Sequence, residues 1–267
     1  MSAKSTEVID GVEVVVDGDR GPVVLMLHGW PDTRCLWDAQ VAALSGRFRC
    51  VRFTLPGFEP GSRRRATSLE EMLSLIDKIV DHVSPTRPIV LLIHDWGCFF
   101  GYQYAMLRPD RVDRVIGIDI GDAGTATHLA SLTARAKAMM AGYQLWLAAA
   151  WRVGGAAGNA MTRAMARAIK APAPADRIHA GMNYPYDILW AGSHGSYRAA
   201  HPLELACPLL FIYGRRKPFM FHSPEWATGL AAQPGCEVIA ADAGHWVMKD
   251  QPTLVNEAIL RWLTASN

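Results

Sequence analysis

Apolar positions along this chain follow two rhythms, short unbroken runs and longer stretches that repeat at helical spacing. Residues 11–16 are rich in β-formers, 17–21 read as a turn, and 22–27 form the continuous apolar run expected of a strand covered on both faces. Helical spacing over 36–44 is followed by a strand over 48–55 and a Gly/Pro loop over 56–61. Thr67 or Ser68 is positioned to cap a helix over 69–83, with Glu70 and Glu71 in its first turn. A strand over 89–93, a sharp corner, a helix ending near Arg108 and Pro109, and a strand over 112–120 come next. This alternation predicts an α/β protein with a mostly parallel central sheet flanked by helices.

The rhythm changes between Gly121 and about His201, where alanine-, methionine- and arginine-rich helical segments are broken by Gly154, Gly155, Gly158 and a proline loop over 171–175. The α/β pattern resumes with a strand over 208–213, a helix over 224–230, a short strand over 237–240 and an amphipathic helix over 252–264. The chain therefore divides into one core made of residues 1–122 and 202–267 and a helical insertion over 123–201.

With 267 residues, half of them hydrophobic, the chain can bury a large core. A net charge of +2 is too small to argue for nucleic acid, and the Arg63, Arg64, Arg65 run is read as a solvated loop. Charges within 134–171 prevent that stretch from supplying the roughly 20 apolar residues of a membrane span. The first residues lack the apolar segment of a secretory signal. Five cysteines without CxxC spacing are read as reduced, buried thiols of a cytoplasmic protein, Cys98 included. No HExxH or comparable ligand spacing is present, so a metal is not expected. Nothing in the sequence decides between a monomer and a homodimer.

The chemistry concentrates at strand ends. Asp95 lies in Ile93, His94, Asp95, Trp96, Gly97, a strand-to-helix corner where hydrolases usually carry serine. A carboxylate there suggests a nucleophile that forms an ester with alkyl carbon, against the plainer reading of a helix N-cap. Two further signals flank it in chain order: His28, Gly29, Trp30, Pro31 after the first long strand, and Gly244, His245 near the C-terminus.

Together these residues resemble the α/β-hydrolase superfamily, and residues 94–97 resemble its epoxide hydrolase and haloalkane dehalogenase branches. The resemblance covers nearly the whole chain except the insertion, and implies that the insertion is a helical cap over an α/β-hydrolase core. It implies Asp95 as nucleophile, His245 as the base that activates water, and the backbone N–H groups of Trp30 and Trp96 as the oxyanion hole. Ile93 departs from the small residue often found there. The acid that orients the imidazole commonly follows the strand matched by 208–213, yet that loop reads Gly214, Arg215, Arg216, Lys217. The other location in such hydrolases offers Asp119 and Asp122; Asp119 lies inside the apolar alternation, so Asp122, in a Gly-flanked loop, is the choice. Asp242 is an outsider.

Epoxide hydrolases use two cap tyrosines to assist the leaving oxygen, which the resemblance carries to Tyr143 and to Tyr184 or Tyr186. The implied activity is hydrolysis of a small apolar epoxide to a vicinal diol, with no cofactor and with water as the only co-reactant. Haloalkane dehalogenase is the nearest rival. There the Trp96 indole would hold the halide, Trp30 stands where many such enzymes have asparagine, and Trp146, Trp151 or Trp190 could give a second donor. A non-catalytic protein holding an apolar ligand on this scaffold is the rival of another class.

Overall fold

The computed structural model describes residues 4–265. Two antiparallel strands, β1 (Lys4–Ile9) and β2 (Val12–Asp17), form one edge of the sheet and lead into the parallel strand β3 (Val23–Leu27). A short 3-10 turn and α1 (Asp38–Leu44) connect to β4 (Arg49–Phe53), and α2 (Leu69–Val83) to β5 (Ile89–His94). Ser68 caps α2 in a reciprocal capping box with Glu71. The helix α3 (Trp96–Leu107) starts one residue after β5 and leads to β6 (Val112–Ile118).

Four helices, α4 (Ala126–Ser131), α5 (Ala134–Val153), α6 (Gly155–Ala168) and α7 (Tyr184–Ala191), intervene before β7 (Leu209–Gly214). The chain then adds α8 (Pro224–Ala231), β8 (Glu237–Ala241), α9 (Val247–Asp250) and α10 (Pro252–Thr264). Among the described residues the eight strands form one sheet in the order β1-β2-β4-β3-β5-β6-β7-β8, parallel from β4 to β8.

Every residue of β3 and β5 is buried, the burial on both faces that their continuous apolar runs demand. One apolar cluster packs α2 and α3 on one face, and a second packs α1 and α10 on the other. The parallel strands all end at one edge, and the turns that leave β3, β5, β6, β7 and β8 meet there, which brings residues distant in sequence together. No helix among the described residues is long and apolar enough to cross a membrane.

Candidate active site

Asp95 is the whole turn between β5 and α3, held at φ 53° and ψ −124°. Positive φ is costly for a residue with a Cβ and persists only where the surroundings impose it. The Asp95 side chain makes no capping hydrogen bond to α3, so the plain N-cap reading does not describe it. The corner is tight: a Cβ on Gly97 would meet the carbonyl oxygens of Leu27 and His28, and one on Gly29 would meet the Asp95 carboxylate. The bulk of Ile93 is taken up one turn along α3, where Gly101 leaves open the space that the isoleucine branch fills.

The two oxygens of Asp95 have different surroundings. Oδ1 accepts the Trp30 backbone N–H at 2.6 Å, and Oδ2 lies 3.4 Å from His245 Nε2. The Trp96 N–H also favours the charged carboxylate. Burial opposes that charge, but His245, His94 and the Trp96 N–H outweigh it and hold the carboxyl below the usual carboxylate range. On the other side of the ring, His245 Nδ1 is 2.5 Å from Asp119 Oδ2. Burial alone would lower the basicity of His245; the flanking carboxylates Asp119 and Asp95 overcome it and raise its pKa to about 9.

The acid beside His245 is thus Asp119, where the sequence pointed to Asp122. β6 ends at Ile118, and Asp119 leaves it at φ 71°, which turns its carboxylate out of the strand's alternation and toward His245. Asp122 points elsewhere. Its Oδ1 accepts the Ser223 N–H at 2.6 Å, and its Oδ2 accepts the hydroxyls of Ser223 at 2.8 Å and Thr125 at 3.0 Å. It ties the turn after β6 to the start of α8. Asp242 faces Arg216 at the surface.

Three residues, His28, His94 and Trp246, hold this arrangement in place through four hydrogen bonds. His28 donates from Nδ1 to the Gly29 carbonyl and accepts the Leu55 N–H on Nε2, each at 2.9 Å, which fixes a neutral ring under the Trp30 turn. His94, the residue before the elbow, donates from Nε2 to the His245 carbonyl at 3.1 Å. Trp246 donates its indole N–H to the buried Asp32 at 2.8 Å, and burial lifts the Asp32 pKa to about 7.

Burial lowers the pKa of His28 to about 4, of His94 to about 3 and of His222 to about 4, below the 6.5 of an unfolded histidine. Between pH 6.5 and 4 the unfolded chain binds these protons and the native one refuses them, so their contribution is intact above pH 6.5 and lost as pH falls. Asp32 acts in the opposite direction, retaining a proton that the unfolded chain gives up, but this single carboxyl is outnumbered by the three imidazoles. Thermal melts should show a midpoint that declines from pH 6.5 toward 4.5; a level or rising midpoint would contradict these assignments.

Above Asp95 lies a cavity of about 700 Å³ walled mainly by Trp96, Phe99, Tyr143, Tyr186, Tyr197 and Phe221. Tyr143 and Tyr186 stand together, ring centroids 6.1 Å apart, and both feel the Asp95 charge. Tyr184 does not line the cavity; it packs against Phe58 and Trp151. The proline between the two tyrosines opens α7, whose winding sends their rings to different sides. Tyr197, a further tyrosine of the insertion, contributes another wall and packs on Trp96 and Phe99. Trp30 extends its indole away from the reaction space to donate to Asn183 at 2.7 Å, and Asn183 in turn donates to Thr162 at 2.7 Å. The indoles of Trp146 and Trp190 bond to the Met161 carbonyl and to Gln144, and Trp151 lies under the Arg64 guanidinium.

Among the described residues no group of three or more His, Cys, Asp or Glu side chains is arranged to hold a metal ion. Burial pushes the Cys98 thiol well above its ordinary pKa, and its sulfur faces the Ile118 carbonyl, as packing requires.

Residues 22–152 match the family model for the alpha/beta hydrolase fold. The chain is 34% identical over 126 residues to the probable oxidoreductase EphD of Mycobacterium tuberculosis, a match covering 45% of this chain and 21% of that protein. It thus spans about a fifth of the length of that relative. It is 25% identical to an epoxide hydrolase of Caballeronia sordidicola over 93% of this chain and 89% of the relative. The crystal structure of an epoxide hydrolase from Bacillus megaterium in complex with an inhibitor has the same fold, with a TM-score of 0.73 at 21% identity over 98% of this chain and all of that one (100%).

Proposed function

The chain has the α/β-hydrolase fold, and from that premise we propose that it is an epoxide hydrolase that works through an ester on Asp95. One observation carries the proposal. Asp95 Oδ1 is held by the Trp30 N–H while Oδ2 stays beside His245 on the floor of the cavity, with two tyrosines nearby.

In this reaction the substrate's oxirane carbon approaches Oδ2, a carbon–oxygen bond forms to the carboxylate, and the ring C–O bond breaks. The alkoxide takes a hydrogen bond and then a proton from Tyr143 and Tyr186, which a carboxylate floor could not supply. Oδ1 becomes the ester carbonyl oxygen. His245 Nε2 removes a proton from water, water attacks Cγ, and the negative charge develops on Oδ1, which already accepts the Trp30 N–H, with the Trp96 N–H beside the same carboxylate. Collapse expels the diol oxygen, which takes the proton back from His245, and the regenerated Asp95 carboxyl releases its proton to replace the one the tyrosines gave up, while Asp119 stabilises the imidazolium. The helices over 123–201 serve as the cap that closes the cavity, and its aromatic walls suit an apolar epoxide.

Dehalogenation would need two N–H donors on the departing halide. Trp96 could give one, but the indole of Trp30 is engaged by Asn183, those of Trp146 and Trp190 by other acceptors, and Trp151 packs against Tyr184 and Arg64 outside the cavity lining. The protein should convert styrene oxide to its diol and release no bromide from 1-bromobutane; bromide release without diol formation would reverse the choice. A non-catalytic ligand carrier would give neither product.

The tyrosines divide the prediction further. Tyr143→Phe and Tyr186→Phe should each slow epoxide opening by about 10- to 100-fold, the worth of one proton or hydrogen-bond donor in the transition state. Tyr184→Phe should leave the rate within about threefold, because the opening step needs a donor inside the cavity. Stopped-flow measurement of ester formation checks all three, and an equal loss in Tyr184→Phe would contradict the assignment.

A further inference from the structure

The turn after β7 carries a cation where many hydrolases of this fold place their acid. Lys217 reaches from that turn to Asp119 and pairs with its Oδ1, the oxygen that also accepts the Gly214 N–H at 3.0 Å, while Oδ2 faces His245. The pair is hidden: the Lys217 side chain is 5% exposed and that of Asp119 is 0% exposed. Phe221 screens both sides, its ring centroid 5.5 Å from the Lys217 ammonium and 5.4 Å from the His245 ring. A neutral donor would have satisfied Asp119, so a buried ammonium brings something more than a hydrogen bond. It brings a charge into a place where charges are felt strongly.

We propose that Lys217 is a positioning residue that offsets the charge of Asp119, so that His245 gives up its proton once Asp95 is esterified and can act as base on water. The inference rests on the ester mechanism proposed above. Before reaction, two carboxylates flank the imidazole, and the four groups Asp95, His245, Asp119 and Lys217 are neutral in sum when the ring is protonated. Attack on the epoxide turns Asp95 into an uncharged ester and creates one alkoxide. The same four groups would then carry one excess positive charge, relieved when the imidazolium loses its proton. The alkoxide takes up one proton, passed through Tyr143 and Tyr186, so the step balances. Without Lys217 the protonated ring and Asp119 would already cancel, and the ring would keep its proton when it is needed as a base.

The other groups around the ring do not substitute for this cation. His94, from the end of β5, lies 4.4 Å from the His245 ring and is kept neutral by burial. Asp32, from the turn after β3, feels the charges of His245 and Asp95 directly but is itself an acid, and it holds the Trp246 indole N–H and has Lys249 near it. His222, beyond Lys217, is kept neutral by burial, and Asp122 is held by Ser223. Asp250, from α9, accepts the Gly244 N–H, and Asp242 is paired with Arg216 at the surface.

The test is rapid-quench intact-mass analysis of ester formation and decay with styrene oxide from pH 5.5 to 9.5, in wild type, Lys217→Met and Lys217→Arg. In Lys217→Met the pH midpoint of ester decay should rise by about one unit or more, making decay at pH 7 about tenfold slower, with ester formation within about threefold of wild type. Lys217→Arg should restore the wild-type midpoint. A decay rate reduced equally at every pH, with the midpoint unmoved, would make Lys217 merely structural and overturn the proposal. An absence of adduct in wild type and in His245→Gln would instead overturn the ester mechanism and this inference with it. Should Lys217→Met not fold, ¹⁵N-imidazole NMR of Asp95→Asn decides: the His245 resonance should titrate at least about one unit below that of wild type, and an unchanged midpoint would overturn the proposal.

Discussion

His245→Gln is expected to halt the reaction halfway. Glutamine can occupy the space of the ring without taking a proton from water, so Asp95 should still open the epoxide and the ester should persist. Loss of the base should reduce kcat by about 10³- to 10⁴-fold. Intact mass should show one substrate equivalent added to the protein, and peptide mapping should place it on Asp95. The physical reason lies in the geometry of the wild-type pair: Nε2 is 3.4 Å from Oδ2, close enough to activate a water against Cγ, while Oδ1 remains with the Trp30 N–H. A variant that turns over normally, or one that forms no adduct while binding substrate, would remove His245 from this role.

Asp119→Asn is expected to be nearly as damaging, and Asp122→Asn is not. An amide at position 119 cannot balance the imidazolium, and it leaves Lys217 buried beside a neutral group. A loss of about 10⁴-fold in kcat, the scale of replacing the acid in a nucleophile–histidine–acid triad, is the expected result. Asp122→Asn perturbs acceptors for Ser223 and Thr125, and should lower stability by about 1–3 kcal/mol while keeping kcat within about threefold. Steady-state kinetics with chemical denaturation of both variants separates the two carboxylates. The reverse ranking would restore Asp122 as the acid.

Those two aspartates also show where sequence pattern stops. The alternation over residues 112–120 carries β-strand spacing past its true end, and a single positive φ at Asp119 takes that side chain out of the pattern. Local propensity does not anticipate such a turn, because its cause lies in the hydrogen bonds made by β7 and His245, distant in sequence. Lys217 escaped for the same reason. The missing carboxylate after β7 is visible in the sequence, but the lysine's reach back to β6 is a tertiary fact.

The sheet interior was the readable part. β3 and β5 are marked by apolar runs, α2 by its cap, and the Asp95 corner by its place between a strand and a helix. The edge strand β1 left no comparable mark: its residues are exposed except for the half-buried Ile9, and its pairing with β2 rests on backbone hydrogen bonds. Tyr184 and Tyr186 illustrate a finer limit. Two tyrosines in one motif look interchangeable until the helix places one on the cavity wall and the other against Phe58 and Trp151.

The origin of the oxygen added to the first diol tests the central claim most directly. With enzyme in excess over styrene oxide in H₂¹⁸O, a single turnover should yield diol without label and one ¹⁸O in the Asp95 peptide, because the carboxylate's own Oδ2 departs with the product and water refills Asp95. Label in the diol from that first turnover, with none in Asp95, would mean that water attacks the epoxide directly and that Asp95 is not the nucleophile.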